Sequence, residues 1–433
     1  MHSLDEKRTK RINKLASLFS EGDMNVVIPQ AIELIKEYHS VVAYNILALA
    51  HKRLGNYIVA RDIYKKLLIS NPENTLFLSN LGNIYSDIGK LEKAEECFKR
   101  TLAIDPKNFN TTVSLGNLFA GTGRLDEALL SFNAVLEVHD EITPKQLGDT
   151  NYRIAEIYRR KGDDFTDKAI QHYNLSNQPL SSAHRLELIY KSKDKDIYCK
   201  AEKIINTNGE LNPLLAAIQT HASIRYKMPD TNLFCKDPFK YIYHSKLTIK
   251  EGFNDYLVEN LLKIKNGLSS STQALLNNGQ QSAGDFLLSH DPSVKLIKNI
   301  ILNRIKSYRN DHAHSSEGFI KQWPENSILH GWVIDIKKGG SLNSHMHKLG
   351  WLSGSLYLKL KKPPESNQGN IIFDLNGADY PTGSQFFPSK EFNIEKGDIV
   401  LFPSSIFHKT VPFESEENRI TLAFDVKPVF KSG

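Results

Sequence analysis

The chain has 433 residues, 40% of them hydrophobic and 24% charged, with a net charge of +6. That length exceeds one ordinary core and points to two or three domains, while the composition excludes extended disorder. The basic excess is spread among Lys/Arg and Asp/Glu pairs rather than gathered in a block, which argues against a nucleic-acid binder.

The amino terminus, MHSLDEKRTKR, has no apolar segment of the kind a secretory signal needs. No run approaches the about 18 uninterrupted apolar residues of a membrane span. Cys97, Cys199 and Cys235 are odd in number and lack CxxC spacing, so they read as ordinary thiols in a reducing compartment. A soluble, cytoplasmic protein is expected, with neither membrane nor nucleic acid as a partner.

Residues 41–142 repeat with a period of 34. Gly55, Gly89 and Gly123 follow that step, as do Ala60, Ala94 and Ala128, then Tyr64, Phe98 and Phe132, and Leu47, Leu81 and Leu115. Within one unit, Leu78, Leu81, Gly82 and Tyr85 lie at helical spacing, Gly89 permits a tight turn, and Ala94 lets a second helix approach closely. Phe98 and Leu102 continue the buried face of that helix until Asp105-Pro106 ends it. This alternation of small and large residues resembles the tetratricopeptide repeat family. Residues 41–74, 75–108 and 109–142 are three units, 145–179 a fourth with a short insertion, and 10–40 a degenerate cap. The signature residues hold such a solenoid together. A peptide or protein ligand is expected on its concave face, where Asn80, Asn83 and Asn117 are candidates.

Residues 180–230 read as further helices that continue or cap the solenoid, and the aromatic-rich stretch from Lys227 to Leu247 as an ordered connector. Residues 250–265 and 292–310 are amphipathic, with Val294, Leu296, Ile297, Ile300, Ile301 and Ile305 on the second, and suit the outside of a sheet.

From about residue 327 the pattern alternates. ILHGWVIDI, WLSGSLYLKL, GNIIFDL, DIVLFPS, HKTVPF and RITLAFDV are strand candidates separated by Gly, Pro and Asn, as in a sandwich or jelly roll. His345 and His347 flank Met346 after a Gly-Gly turn; at i and i+2 of an extended segment both imidazoles point one way and can reach one metal. His408 follows DIVLFPSSIF, and Arg419 stands 11 residues beyond it in RITLAF. There Arg419, Thr421 and Ala423 share one face and Ile420, Leu422 and Phe424 the other. An arginine on the polar face of a strand suits bidentate capture of a carboxylate.

The segments HMH, GDIVLFPSSIFH and RITLAF resemble the 2-oxoglutarate/Fe(II) oxygenase superfamily over about residues 327–428, closest to its prolyl-hydroxylase-like bacterial members. The resemblance implies His345 and His408 as iron ligands and Arg419 as partner of the distal carboxylate of 2-oxoglutarate. It implies that Thr421, in the Arg-x-Ser/Thr position, and Tyr357, in SGSLYLKL, assist Arg419. Ser353 and Ser355 share the face of Tyr357. The catalytic set is then His345, His408 and Arg419.

Position 347 departs from the family pattern, which has Asp or Glu two residues after the first histidine. Either His345, His347 and His408 make a three-histidine site, or His347 points away and water completes a two-histidine site. His312-Ala313-His314 reads as an exposed loop pair, His330 as structural and Asp374 as a strand-end turn residue, while Lys409 is a candidate for binding an acidic group.

The expected architecture is multidomain: an all-α tetratricopeptide solenoid (1–180), a helical cap and connector (181–245), and a double-stranded β-helix, or jelly-roll, oxygenase domain with flanking helices (246–433). The resemblance implies an enzyme, a dioxygenase using Fe(II), 2-oxoglutarate and O2 to hydroxylate a substrate that the repeats could present. The alternative is a repeat scaffold for protein interaction whose β-domain has lost catalysis. A cupin-type metal enzyme without 2-oxoglutarate is disfavoured by Arg419 in its RIT context.

Overall fold

The computed structural model describes residues 2–138, 142–268, 270–271, 273–363 and 365–429, in two units, Met1–Asn177 and Gln178–Gly433. Among the described residues the first unit is helical throughout: α1 (His2–Glu21), α2 (Met24–Tyr38), α3 (Val41–Arg53), α4 (Tyr57–Ser70), α5 (Thr75–Asp87), α6 (Leu91–Ile104), α7 (Phe109–Gly121), α8 (Leu125–Val138), α9 (Pro144–Lys161) and α10 (Thr166–Asn174). The period of 34 extends to the helix starts. Ser40, Asn74 and Asn108 cap α3, α5 and α7, each side-chain oxygen accepting from the backbone N–H three residues on. Gly55, Gly89 and Gly123 turn the hairpins at φ of 77°, 73° and 80°. Inside them Ala60, Ala94 and Ala128 are fully buried. A Cβ on Gly82 would lie 2.6 Å from the Phe98 ring, and one on Gly116 equally close to Phe132, so the small residue is what lets each aromatic in. Asn80 donates to Asn45 at 3.0 Å and Asn117 accepts from Arg153 at 2.7 Å, so these two expected ligand residues also tie neighbouring repeats together.

The second unit opens with α11 (Ser181–Ser192), α12 (Lys195–Thr207) and α13 (Pro213–Tyr226). Where the sequence suggested a cap on the solenoid, these helices pack within the β-rich unit. His221 of α13 bonds Asn376 at 3.0 Å and stacks on Phe387, and Tyr380 donates to Glu187 of α11 at 3.0 Å. These contacts, between residues more than 150 positions apart in the chain, hold the helices there.

Next come β1 (Tyr243–Lys246), α14 (Asp255–Asn266), β2 (Ser270–Ser271), β3 (Leu276–Ser282), α15 (Pro292–Asp311) and α16 (Gly318–Lys321). They are followed by β4 (Ser327–Leu342), β5 (Leu352–Lys359), β6 (Ile371–Asp374), β7 (Ser389–Phe392), β8 (Asp398–Pro403), β9 (Phe407–Thr410) and β10 (Arg419–Pro428). A seven-stranded antiparallel sheet, ordered β1-β8-β5-β10-β4-β3-β2, faces a three-stranded one, β7-β6-β9. Strand β1 begins before residue 246, where the β-domain was expected to start.

All six expected strands form, and among the described residues four more join them. β3 (LNNGQQS) and β7 (SKEF) are polar, lie at or near sheet edges, and owe their extended shape to a neighbour's backbone rather than to apolar alternation. The expected Gly-Gly turn before His345 is instead an irregularity within β4: Gly339 has φ of 72°, and the register with β3 shifts between Asn277 and Gly279. One face of the large sheet (Leu352, Leu356, Leu401, Leu422, Phe424) packs with Leu257 and Leu261 of α14 and Ile297 and Ile301 of α15. The other face looks into the space between the sheets, where Tyr357, Phe373, Val400 and Phe402 pack.

Candidate metal centre

On β10 every second side chain enters that space. Arg419, Thr421, Ala423 and Asp425 point in, while Ile420, Leu422 and Phe424 join the opposite core. On β5, Ser353, Ser355 and Tyr357 stand opposite Asp425, Ala423 and Thr421 in register. From the smaller sheet, β9 brings His408, paired with Phe373 of β6. The HMH segment is drawn to the same place by its backbone: His345 N–H donates to His408 O at 3.1 Å, His408 N–H to His345 O at 2.8 Å, and His347 N–H to Ser404 O at 3.2 Å. Met346, between the two histidines, is buried.

The three imidazoles converge, with one ring nitrogen from each within 4.8 Å of the others. Their Nδ1 atoms are engaged outward. His345 Nδ1 donates to Asn343 O at 2.8 Å, His347 Nδ1 to Asp425 Oδ1 at 2.5 Å and His408 Nδ1 to Ile406 O at 3.4 Å. A carbonyl or carboxylate only accepts, so each Nδ1 carries a proton, and in the neutral ring Nε2 then carries the lone pair. Nε2 of His345 and of His347 face each other at 3.3 Å, a hydrogen bond when one of them carries a proton and two opposed lone pairs when neither does. With both rings neutral, a cation between them would take up both lone pairs; imidazole–metal bonds of about 2 Å at right angles would put the nitrogens about 3 Å apart. Burial pushes the pKa of His345 down to about 4, helped by the neighbouring His347, and that of His408 well below its usual value. Both rings are therefore neutral near neutral pH, the form that binds a metal.

Beside the histidines, in the same cavity of about 290 Å³, lie Arg419, Thr421 and Tyr357. Arg419 is 3% exposed, and its guanidinium sits 5.0 Å from the centre of the Tyr357 ring. Among the described residues Tyr357, not a carboxylate, is the polar neighbour of its guanidinium, and Arg419 Nε, Tyr357 Oη and Thr421 Oγ1 are buried without a well-formed hydrogen bond. Burial lowers the Arg419 pKa and raises that of Tyr357. An unpaired buried guanidinium costs several kcal/mol, and two orphan hydroxyls add to that, a penalty that an anion in the cavity would relieve. Three convergent imidazoles next to an arginine with no carboxylate partner would suit Fe(II) with 2-oxoglutarate.

Asp425 escaped the sequence reading, as did the part played by Ser353, which donates to it at 2.8 Å. The signal was present: Asp425 continues the inward alternation of Arg419, Thr421 and Ala423. Other candidates lie elsewhere. His312 packs on Tyr241 and Tyr308 and His314 is exposed; His330 pairs with Asp285 at 3.2 Å. Lys409 Nζ is 4.0 Å from Asp374, whose other oxygen accepts from Asn376 N–H in the expected turn. Cys97, Cys199 and Cys235 are free thiols. No helix among the described residues is long and apolar enough to cross a membrane.

Comparison with known proteins agrees with both halves. A family model described as "Putative 2OG-Fe(II) oxygenase" matches residues 330–425, and tetratricopeptide repeat models match residues 41–74 and 76–108. Among curated proteins none matches the chain. Solved structures similar to it include Pseudomonas aeruginosa pilF (17% identity, TM-score 0.39, covering 47% of this chain and 92% of that one). A thermophilic tetratricopeptide protein of Thermus thermophilus is 21% identical (TM-score 0.34, 46% and 99%). A tetratricopeptide repeat protein from Parabacteroides merdae is 16% identical (TM-score 0.40, 60% and 98%).

Proposed function

We propose that the chain is an Fe(II)- and 2-oxoglutarate-dependent dioxygenase that hydroxylates a peptide or protein segment engaged by its repeats. The observation that carries this reading is the buried Arg419 without a carboxylate partner and the orphan hydroxyls of Tyr357 and Thr421, in one cavity with three convergent imidazole nitrogens. Tetratricopeptide repeats serve protein and peptide interactions, which supports a peptide as the molecule engaged.

In this reading His345, His347 and His408 hold the iron through Nε2, each ring fixed by its Nδ1–H bond. Arg419 takes the distal carboxylate of 2-oxoglutarate in charge-assisted hydrogen bonds, and Tyr357 and Thr421 donate their hydroxyl protons to it. When bound, Fe(II) and 2-oxoglutarate supply the oxidation, in which O2 yields succinate, CO2 and a hydroxylated C–H position. Trp332, Ile334, Leu342 and Ile371 wall the cavity and keep bulk water from the reacting atoms.

The test is an anaerobic titration of the full chain with Fe(II) and then 2-oxoglutarate, followed by succinate measurement after oxygen is admitted. Sequential binding and succinate release are expected. Iron binding without any 2-oxoglutarate binding would sink the reading, and binding of both without succinate would favour the scaffold alternative.

A further inference from the structure

Three neutral imidazoles around a divalent ion leave two positive charges in a buried site, where a site with one carboxylate ligand leaves one. Such a charge at a largely buried site is costly unless a counter-charge lies near. Asp425 is the acidic residue in the lining of this cavity and is 4% exposed. Its Oδ1 accepts from His347 Nδ1–H at 2.5 Å and from Ser353 Oγ–H at 2.8 Å. Ser353 Oγ is in turn 2.7 Å from Ser404 Oγ, and the Ser404 carbonyl holds His347 N–H at 3.2 Å. The network is closed over by Gly350, where a Cβ would lie 2.5 Å from Ser404 Oγ and 3.2 Å from Asp425. His347 is thus gripped at backbone and Nδ1, which leaves its Nε2 turned toward His345.

We propose that Asp425 is the carboxylate that position 347 lacks, moved one residue outward: it positions His347 for the metal and supplies the negative charge a direct carboxylate ligand would have supplied. This rests on the histidine cluster holding a metal, not on 2-oxoglutarate use. Asp425 is a positioning residue, acting through His347. A merely structural His347–Asp425 pair would tie the HMH segment to β10 and leave metal affinity alone.

The two roles separate in metal titrations of the full chain, anaerobically with Fe(II) and with Co(II), whose visible bands report its ligands. Asp425→Asn should weaken Co(II) and Fe(II) binding tenfold to a hundredfold and shift the Co(II) bands. Ser353→Ala, which leaves the carboxylate in place, should weaken binding severalfold. His347→Asp alone should bind poorly, because the new carboxylate faces that of Asp425 without a bridging proton. The double variant His347→Asp/Asp425→Asn should bind more tightly than His347→Asp.

Wild-type affinity and bands in Asp425→Asn overturn the proposal, as does a double variant no tighter than His347→Asp. Should Asp425→Asn fail to fold, Ser353→Ala decides: weaker Co(II) binding supports the proposal and unchanged binding overturns it. Wild-type protein that binds Co(II) but not 2-oxoglutarate refutes the dioxygenase reading and leaves Asp425 to be judged on the variants. Wild-type protein that binds neither metal overturns both.

Discussion

Tyr357 and Thr421 stand directly opposite each other across β5 and β10, and each presents a buried hydroxyl with no partner among the described residues. Two such groups side by side are a standing penalty in the ligand-free protein and would be a pair of donors to a bound carboxylate.

Tyr357→Phe should therefore leave the ligand-free melting temperature unchanged or raised, since an unsatisfied buried hydroxyl is removed. Affinity for 2-oxoglutarate should fall about tenfold, for the loss of one hydrogen bond to a charged group. Calorimetric titration of the iron-loaded protein beside thermal melts measures both, and a lowered melting temperature with unchanged affinity would contradict the assignment.

Arg419→Ala should abolish productive 2-oxoglutarate use while leaving iron binding largely intact. The charge-assisted contact is worth about 1.5–3 kcal/mol, or roughly a tenfold to hundredfold loss in cosubstrate affinity. Unchanged cosubstrate affinity in this variant would remove Arg419 from the site.

His221 offers a pH test away from the histidine cluster. It is fully buried between Tyr190 and Asn376, and burial pushes its pKa down to about 4, the bond to Asn376 offsetting part of the effect. Unfolded histidine titrates near pH 6.5, so between about pH 6.5 and 4 the unfolded chain takes a proton that the folded one refuses. Stability should be flat above that window and fall as pH drops through it, by roughly 3 kcal/mol from this group. Urea melts of wild type and His221→Gln from pH 8 to 4 measure this; equal slopes would rule it out.

In the repeats, Gly82→Val should destabilise the first unit by ~1–3 kcal/mol, because a Cβ there meets the Phe98 ring at 2.6 Å. Phe98→Leu in the same chain should recover part of the loss, whereas the same substitution in wild type should only destabilise. Additive losses in the double variant would show that the two residues do not share a packing site.

The helical hairpins and the inward face of β10 were legible in the sequence because each is a local periodicity: a step of 34 in one case and of two in the other. For the same reason His345 and His347 could be placed on one side of an extended segment, and Arg419 with Thr421 on one face of a strand. Position 347 was left open, since nothing near it in the chain states which way its ring turns. Tertiary structure decided that, through Asp425, 78 residues away, and the Ser404 carbonyl. Residues 181–226 are a parallel case: their apolar faces predict helices, but their place in the second unit follows from Asn376, Tyr380 and Phe387, far along the chain. Periodicity is written in neighbours and can be read from them. The partner that satisfies a buried polar group is chosen by the fold, and only the fold brings Asp425 to His347.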